Sequence, residues 1–342
     1  MRCRSLVAFG LLVACARATP REAARAPSSV ALPDGTPGIG FDDLRYSPTL
    51  GKLLVPSGRS GRLNLVDPRT LAVTSVSGFS AEREYGGGHD DGATSVDEAN
   101  GKLYVTDRTA RTIVVVDATS LRRERTLRIG AEPDYVRVVS RARELWVTEP
   151  DAERVEVFAL DAQGMPAAAA TALIPVKNGP ESLVVDTRRG RAYTHRWSHS
   201  TVAIDFRTHA IVAEWPNGCE AARGIALDEA HGWLFTACRE GTATVLDVAH
   251  DGKLLSSLRR GAGFDVIGYS PALGHLYLAG GDCRCLVVLG VDVTGTLSLL
   301  EETRAPETTH CAAADDQGHA WLCDPRGGQL VRVTDTHPAT LR

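Results

Sequence analysis

The chain has 342 residues, 38 Lys and Arg against 42 Asp and Glu, and 43% hydrophobic residues. A net charge of −4 and 33 glycines with 17 prolines exclude a disordered tail and a strongly basic nucleic-acid binder. The apolar share suffices for a sizeable core, and the one long apolar run, Leu6 to Ala16, is too short to span a bilayer as a helix.

Residues 1–14 read as a signal peptide, with Arg2 and Arg4 before the apolar Leu6 to Ala14. Leu12-Val13-Ala14-Cys15 resembles a bacterial lipobox, which implies lipidation of Cys15 and, with Ala16 next, an outer-membrane lipoprotein facing the periplasm or the surface. The rival reading is cleavage after Ala18 in Ala16-Arg17-Ala18, giving a soluble periplasmic protein. Residues 15–33 then read as a lipid-anchored or flexible tether, and residues 34–342 as one repeat domain.

The same short string recurs down the chain: GKLLV from Gly51, GKLYV from Gly101, RELWV from Arg143, GRAYT from Gly190, GWLFT from Gly232, GHLYL from Gly274 and GHAWL from Gly318. Seven copies at intervals of 42 to 50 residues predict an all-β, seven-bladed β-propeller. A second marker keeps step, because each copy leads through an alternating strand to Asp67, Asp117, Asp161, Asp205, Asp247, Asp292 or Asp335. There a carboxylate closes a turn by accepting backbone N–H groups just downstream. Two longer intervals locate insertions, Ser80 to Gly88 between the first two blades and Asp161 to Ala170 in the third. Arg143 stands where the other copies have a turn glycine or its equivalent, which predicts a different turn.

The last unit ends soon after its third strand. Ser28 to Ser47 has the same order of features as Thr126 to Ser140, so the N-terminal strand is expected to complete the last blade and close the ring. Residues Gly101 to Val138, GKLYVTDRTARTIVVVDATSLRRERTLRIGAEPDYVRV, resemble the YVTN-repeat (YncE-like) propellers, and the likeness extends over residues 30–342. That resemblance implies the fold and leaves the role open, since members of such families include binders of nucleic acid or of surface partners. The net charge makes nucleic acid an unexpected partner, and Arg122, Arg123, Arg125, Arg128, Arg137, Arg141 and Arg143 read as a solvated face.

Counting nine residues back from each turn marker places Asp42, Asp134, Glu181, Arg223 and Asp265 together at the mouth of the central channel, with Asp90 and Asp91 beside the equivalent Gly92. Carboxylates crowded around one axis need water, Arg223 or a cation, and a hard cation such as calcium suits an all-oxygen ring. No other cofactor is expected. His89, His195, His199 and His310 are acid/base candidates near the channel, with polar surface as the plainer reading.

Six cysteines remain after Cys3 and Cys15, all on one face of blades five to seven. Cys219 with Cys238, and Cys311 with Cys323 across the Asp316-Gln317-Gly318 turn, read as disulfides. Cys283 and Cys285 either bridge each other or send one thiol to Cys311. Kept reduced, the C-x-C with His310, Cys311 and Cys323 offers soft ligands for zinc or copper.

The motifs of covalent haem attachment, the serine nucleophile elbow and zinc proteases are absent, and Asn64, Asn100, Asn178 and Asn217 do not make a lactonase-type calcium set. The expected function is an envelope-associated recognition module, monomeric, meeting the membrane only through its lipid. Its unknown protein or small-molecule ligand would meet the cysteine-stapled, carboxylate-rich face and the Gly86-Gly87-Gly88 loop. The alternatives are a metal-dependent lyase or lactonase at the channel mouth and a thiol-based metal handler.

Overall fold

The computed structural model describes residues 27–341. The signal peptide, Cys3, Cys15 and most of the tether lie outside the described residues.

Seven four-stranded antiparallel sheets make up the described residues. Blade 1 runs through Arg45–Ser47, Lys52–Pro56, Arg62–Val66 and Val73–Ser77, and blade 2 through Ala93–Ala99, Lys102–Asp107, Thr112–Asp117 and Arg123–Arg128. Blades 3 to 6 begin at Val136, Glu181, Ala222 and Phe264 in the same order of strands. The innermost strands of blades 2 to 7 touch in succession, that of blade 7 touches blade 1, and the second strand of blade 1 touches blade 2, so the ring is closed. Among the described residues the only helix is one 3₁₀ turn, Pro150–Ala152.

A single blade has two apolar faces and cannot cover both. The core of the described residues therefore divides into seven large clusters, one at each interface between neighbouring blades, with a small eighth of Cys219, Ala222 and Cys238. The fourth residue of each repeat string anchors them: Leu54, Tyr104, Trp146, Tyr193, Phe235, Tyr277 and Trp321 are all buried. The seven repeat aspartates each accept a backbone N–H two or more residues downstream, as the sequence predicts.

Blade 7 consists of Ala312–Ala314, His319–Asp324 and Gln329–Thr334, with Ser28–Ala31 as its outer strand. Ser28 pairs with Arg332 and Ala31 with Gln329, while Val30 and Leu32 join the cluster between blades 7 and 1. This strand begins inside the stretch 15–33 read as a tether. Its backbone is ordered because the open edge of the last blade gives it hydrogen-bond partners.

Two other expectations are corrected. Arg143 does not change its turn: it takes φ 54°, close to the 60° to 81° of the turn glycines in the other copies. The hairpin geometry outweighs the roughly 1–2 kcal/mol a bulky residue loses in the left-handed region. Arg137 is not part of a solvated face. It lies on the innermost strand of blade 3 and is buried, because Asp43 reaches it across the channel.

Candidate functional site at the channel mouth

Each innermost strand starts on the same face of the disc, so the residues just before or at those starts converge. Asp42 precedes blade 1, Asp134 precedes blade 3, and Glu181, Arg223 and Asp265 open blades 4, 5 and 6. With Asp90 these five line one cavity of ≈ 160 Å³, joined there by His89, Arg108, Tyr135, Asp151 and Trp197. Asp91 is not among its lining residues and is exposed to solvent. Adjoining this cavity is a larger one of ≈ 920 Å³, whose walls include Tyr85 to His89, Arg223, Arg239, Asp265, Thr308, His310 and Arg326. His89, Arg223 and Asp265 border both spaces.

His89 directly follows the inserted loop Ser80 to Gly88 and lies near the channel, as expected from the sequence. Its Nδ1 lies 3.5 Å from Asp42 Oδ2 and its Nε2 3.5 Å from Asp265 Oδ2. Its ring stacks on His310 at 5.2 Å. Although desolvation works against the charged form, Asp42, Asp265 and Asp134 hold His89 well above its ordinary pKa. Asp42 Oδ2 and His89 Nδ1 are both buried without a hydrogen-bond partner. They face each other at 3.5 Å, an ion pair held slightly beyond hydrogen-bond length that a polar ligand could join.

The remaining charges are unevenly matched. Arg108 reaches Asp134 at 3.1 Å and Asp90 at 3.6 Å. Arg223 stacks over Trp197 at 4.7 Å instead of gripping a carboxylate. Desolvation, followed by neighbouring carboxylates, raises Asp134 and Glu181 well above the ordinary carboxylate range, and desolvation also raises Asp42. His195 proves to be a core residue: burial lowers it to about 4, and it faces Thr201 Oγ1 at 2.7 Å. His199 is tied to the carbonyl of Cys219 at 3.0 Å.

The donor groups gathered within 4.8 Å among the described residues are His89 with Asp265 and His310, His310 with Cys311 and Cys323, and Cys219 with Cys238 and Glu240. None is an all-oxygen set of the kind calcium takes. His310 faces carbonyl oxygens with both ring nitrogens, Thr308 through Nδ1 and Phe41 through Nε2, each at 2.8 Å. Both nitrogens then donate, as an imidazolium does, and neither lone pair is free for a metal.

Cys219–Cys238 and Cys283–Cys285 are disulfides, so the C-x-C bridges internally and supplies no metal ligand. Cys311 and Cys323 face each other across the blade 7 hairpin as expected but are thiols, not a disulfide. Despite desolvation, the Cys311 S–H, the His310 charge and backbone N–H groups bring Cys323 down to about 6, while burial pushes Cys311 up.

Fold and site together define a seven-bladed β-propeller with a charged pocket at one end of its channel. No family model and no curated protein matches the chain. Solved structures do. A chain of Kuenenia stuttgartiensis hydrazine synthase is similar with a TM-score of 0.71 at 12% identity, covering 88% of this chain and 97% of that one. The β-propeller domain of Myceliophteria thermophila Cps50 (Swd1) gives 0.71 at 12% identity, covering 90% and 99%. A streptogramin B lyase gives 0.69 at 11% identity, covering 90% and 97%. At such identities the likeness is one of fold, shared by proteins of different function.

Proposed function

We propose that this chain is an exported, envelope-associated recognition propeller whose ligand enters the ≈ 920 Å³ cavity and is read at its floor by the channel-mouth cluster. The observation that carries this reading is the set of buried charged groups at the channel mouth, Asp42, Asp134, Glu181 and His89, bordering a cavity of ligand size through His89, Arg223 and Asp265. Arg223, Arg239 and Arg326 on the walls, with Asp265 and Asp42 below, favour a small molecule or chain terminus carrying both an acidic and a hydrogen-bond-donating group. The two disulfides support the oxidising address that the signal peptide and lipobox imply, and the repeat strings support kinship with the YVTN-repeat propellers. The doubly engaged His310 weighs against a metal held by that side chain.

Native mass spectrometry tests the proposal. The purified protein is incubated with the low-molecular-weight fraction of envelope extract, and wild type is compared with Asp265→Asn/Arg239→Ala. The expected result is a bound species retained by wild type and weakened at least tenfold in the variant, since two polar contacts are removed. Equal retention by both proteins, or none by either, contradicts the proposal.

A further inference from the structure

Cys311 and Cys323 are directly opposite on the first hairpin of blade 7, where Cys323 N–H donates to the Cys311 carbonyl. Their sulfurs lie 2.7 Å apart. Two thiolates sharing a tetrahedral zinc ion would stand about 3.8 Å apart, given Zn–S bonds of about 2.3 Å. A disulfide needs about 2.05 Å, so the pair is closer to bridging than to chelating. The other four described cysteines are already bridged, which makes this pair the one dithiol among the described residues.

The two sulfurs are not equivalent. Cys323 Sγ accepts the backbone N–H of Cys311 at 3.1 Å and of His310 at 3.4 Å, and the Cys311 S–H points at it. Donors directed at one sulfur stabilise it as a thiolate and leave the other as a thiol. His310 lies within 4.8 Å of both sulfurs and also lines the ≈ 920 Å³ cavity, so the pair sits directly behind a wall of the proposed ligand pocket.

We propose that Cys311 and Cys323 form a redox-active dithiol, with Cys323 as the nucleophile and Cys311 as the resolving thiol, and that the oxidant is a small hydroperoxide. The Cys323 thiolate attacks one oxygen of the peroxide; an S–O bond forms, the O–O bond breaks and hydroxide leaves. Cys311 then attacks the sulfenic sulfur of Cys323; the S–S bond forms, the S–O bond breaks, and the departing oxygen leaves as water with the Cys311 proton. The sulfur pair loses two electrons and the peroxide gains them. Both sulfurs are fully buried, so the oxidant must be small, and hydrogen peroxide is of water-like size.

The test uses the full mature protein with hydrogen peroxide, quenched by thiol alkylation and read by peptide mass spectrometry. The expected result is loss of two thiols per chain, appearance of a Cys311–Cys323 bridge and its reversal by a dithiol reductant in the folded protein. In Cys311→Ser, dimedone should label Cys323, and in Cys323→Ser oxidation of Cys311 should slow by about tenfold or more. A pair isolated already bridged supports the proposal if it cycles in the folded protein. It contradicts the proposal if reduction requires unfolding. Persistence of both thiols in excess peroxide, dimedone on Cys311 in place of Cys323, or stoichiometric zinc that blocks the reaction each overturns it, and the wild-type measurements stand even if a variant fails to fold.

Discussion

Deleting Ser28–Leu32 lowers the melting temperature by on the order of 10 °C. Four register pairs to Arg332, Val331, Leu330 and Gln329 vanish, and Val30 and Leu32 leave the cluster between blades 7 and 1. Burying two such side chains contributes about 1.5–3 kcal/mol each. In a chain of more than 300 residues each kcal/mol moves the melt by about 1–2 °C. Loss of the strand also frees the outer edge of Gln329–Thr334, so the truncated protein should aggregate sooner on heating. Scanning calorimetry with light scattering measures both. An unchanged melt would mean that closure depends on the inner strands alone.

The second large effect is at Arg137. Its guanidinium donates to both oxygens of Asp43, at 2.6 and 2.8 Å, while Ser95 donates to the same carboxylate at 2.5 Å. Blades 1, 2 and 3 are thereby joined through one buried ion pair. Against desolvation, Arg137 holds Asp43 below its ordinary pKa. A depressed folded pKa stabilises the fold above the unfolded value of about 4, and the contribution is lost as pH falls through the folded value. Arg137→Met leaves a buried, uncompensated carboxylate and should cost about 3–5 kcal/mol at pH 7. Arg137→Met/Asp43→Leu should recover most of that loss, because the isolated charge goes too. Denaturant unfolding of both variants checks this, and a double variant as unstable as the single one would refute the role of the charge pair.

Much of the architecture was legible because the fold repeats its physics. An aromatic or leucine four places into each string has the same interface to fill, and an aspartate after each third strand has the same turn to close. The mouth residues Asp42, Asp134, Glu181, Arg223 and Asp265 followed from that register. What the register does not carry was hidden. The sequence marks His89 only as one of four histidines near the channel, with no sign of its contacts with Asp42 and Asp265, and Arg108 and Arg137 find partners outside their own blades, 26 and 94 residues away. Arg143 shows a local preference overridden by the hairpin around it. The spacing of Cys311 and Cys323 revealed their opposition, but the donors around Cys323 that leave it a poised thiolate depend on three-dimensional placement.

The claim that the mouth is maintained for a ligand, at a cost to stability, is tested most directly by the melting temperature of Asp134→Asn/Glu181→Gln across pH. Burial raises both carboxyls well above their ordinary range, so the folded protein holds protons that the unfolded chain releases. Wild-type stability from these groups is complete below about pH 4 and falls as pH rises through the folded values. The amides carry no such charge. The variant should therefore melt several degrees above wild type at pH 8 and close to it at about pH 4. A variant that melts below wild type at pH 8 would show that the cluster serves to hold the ring together, and would contradict the account.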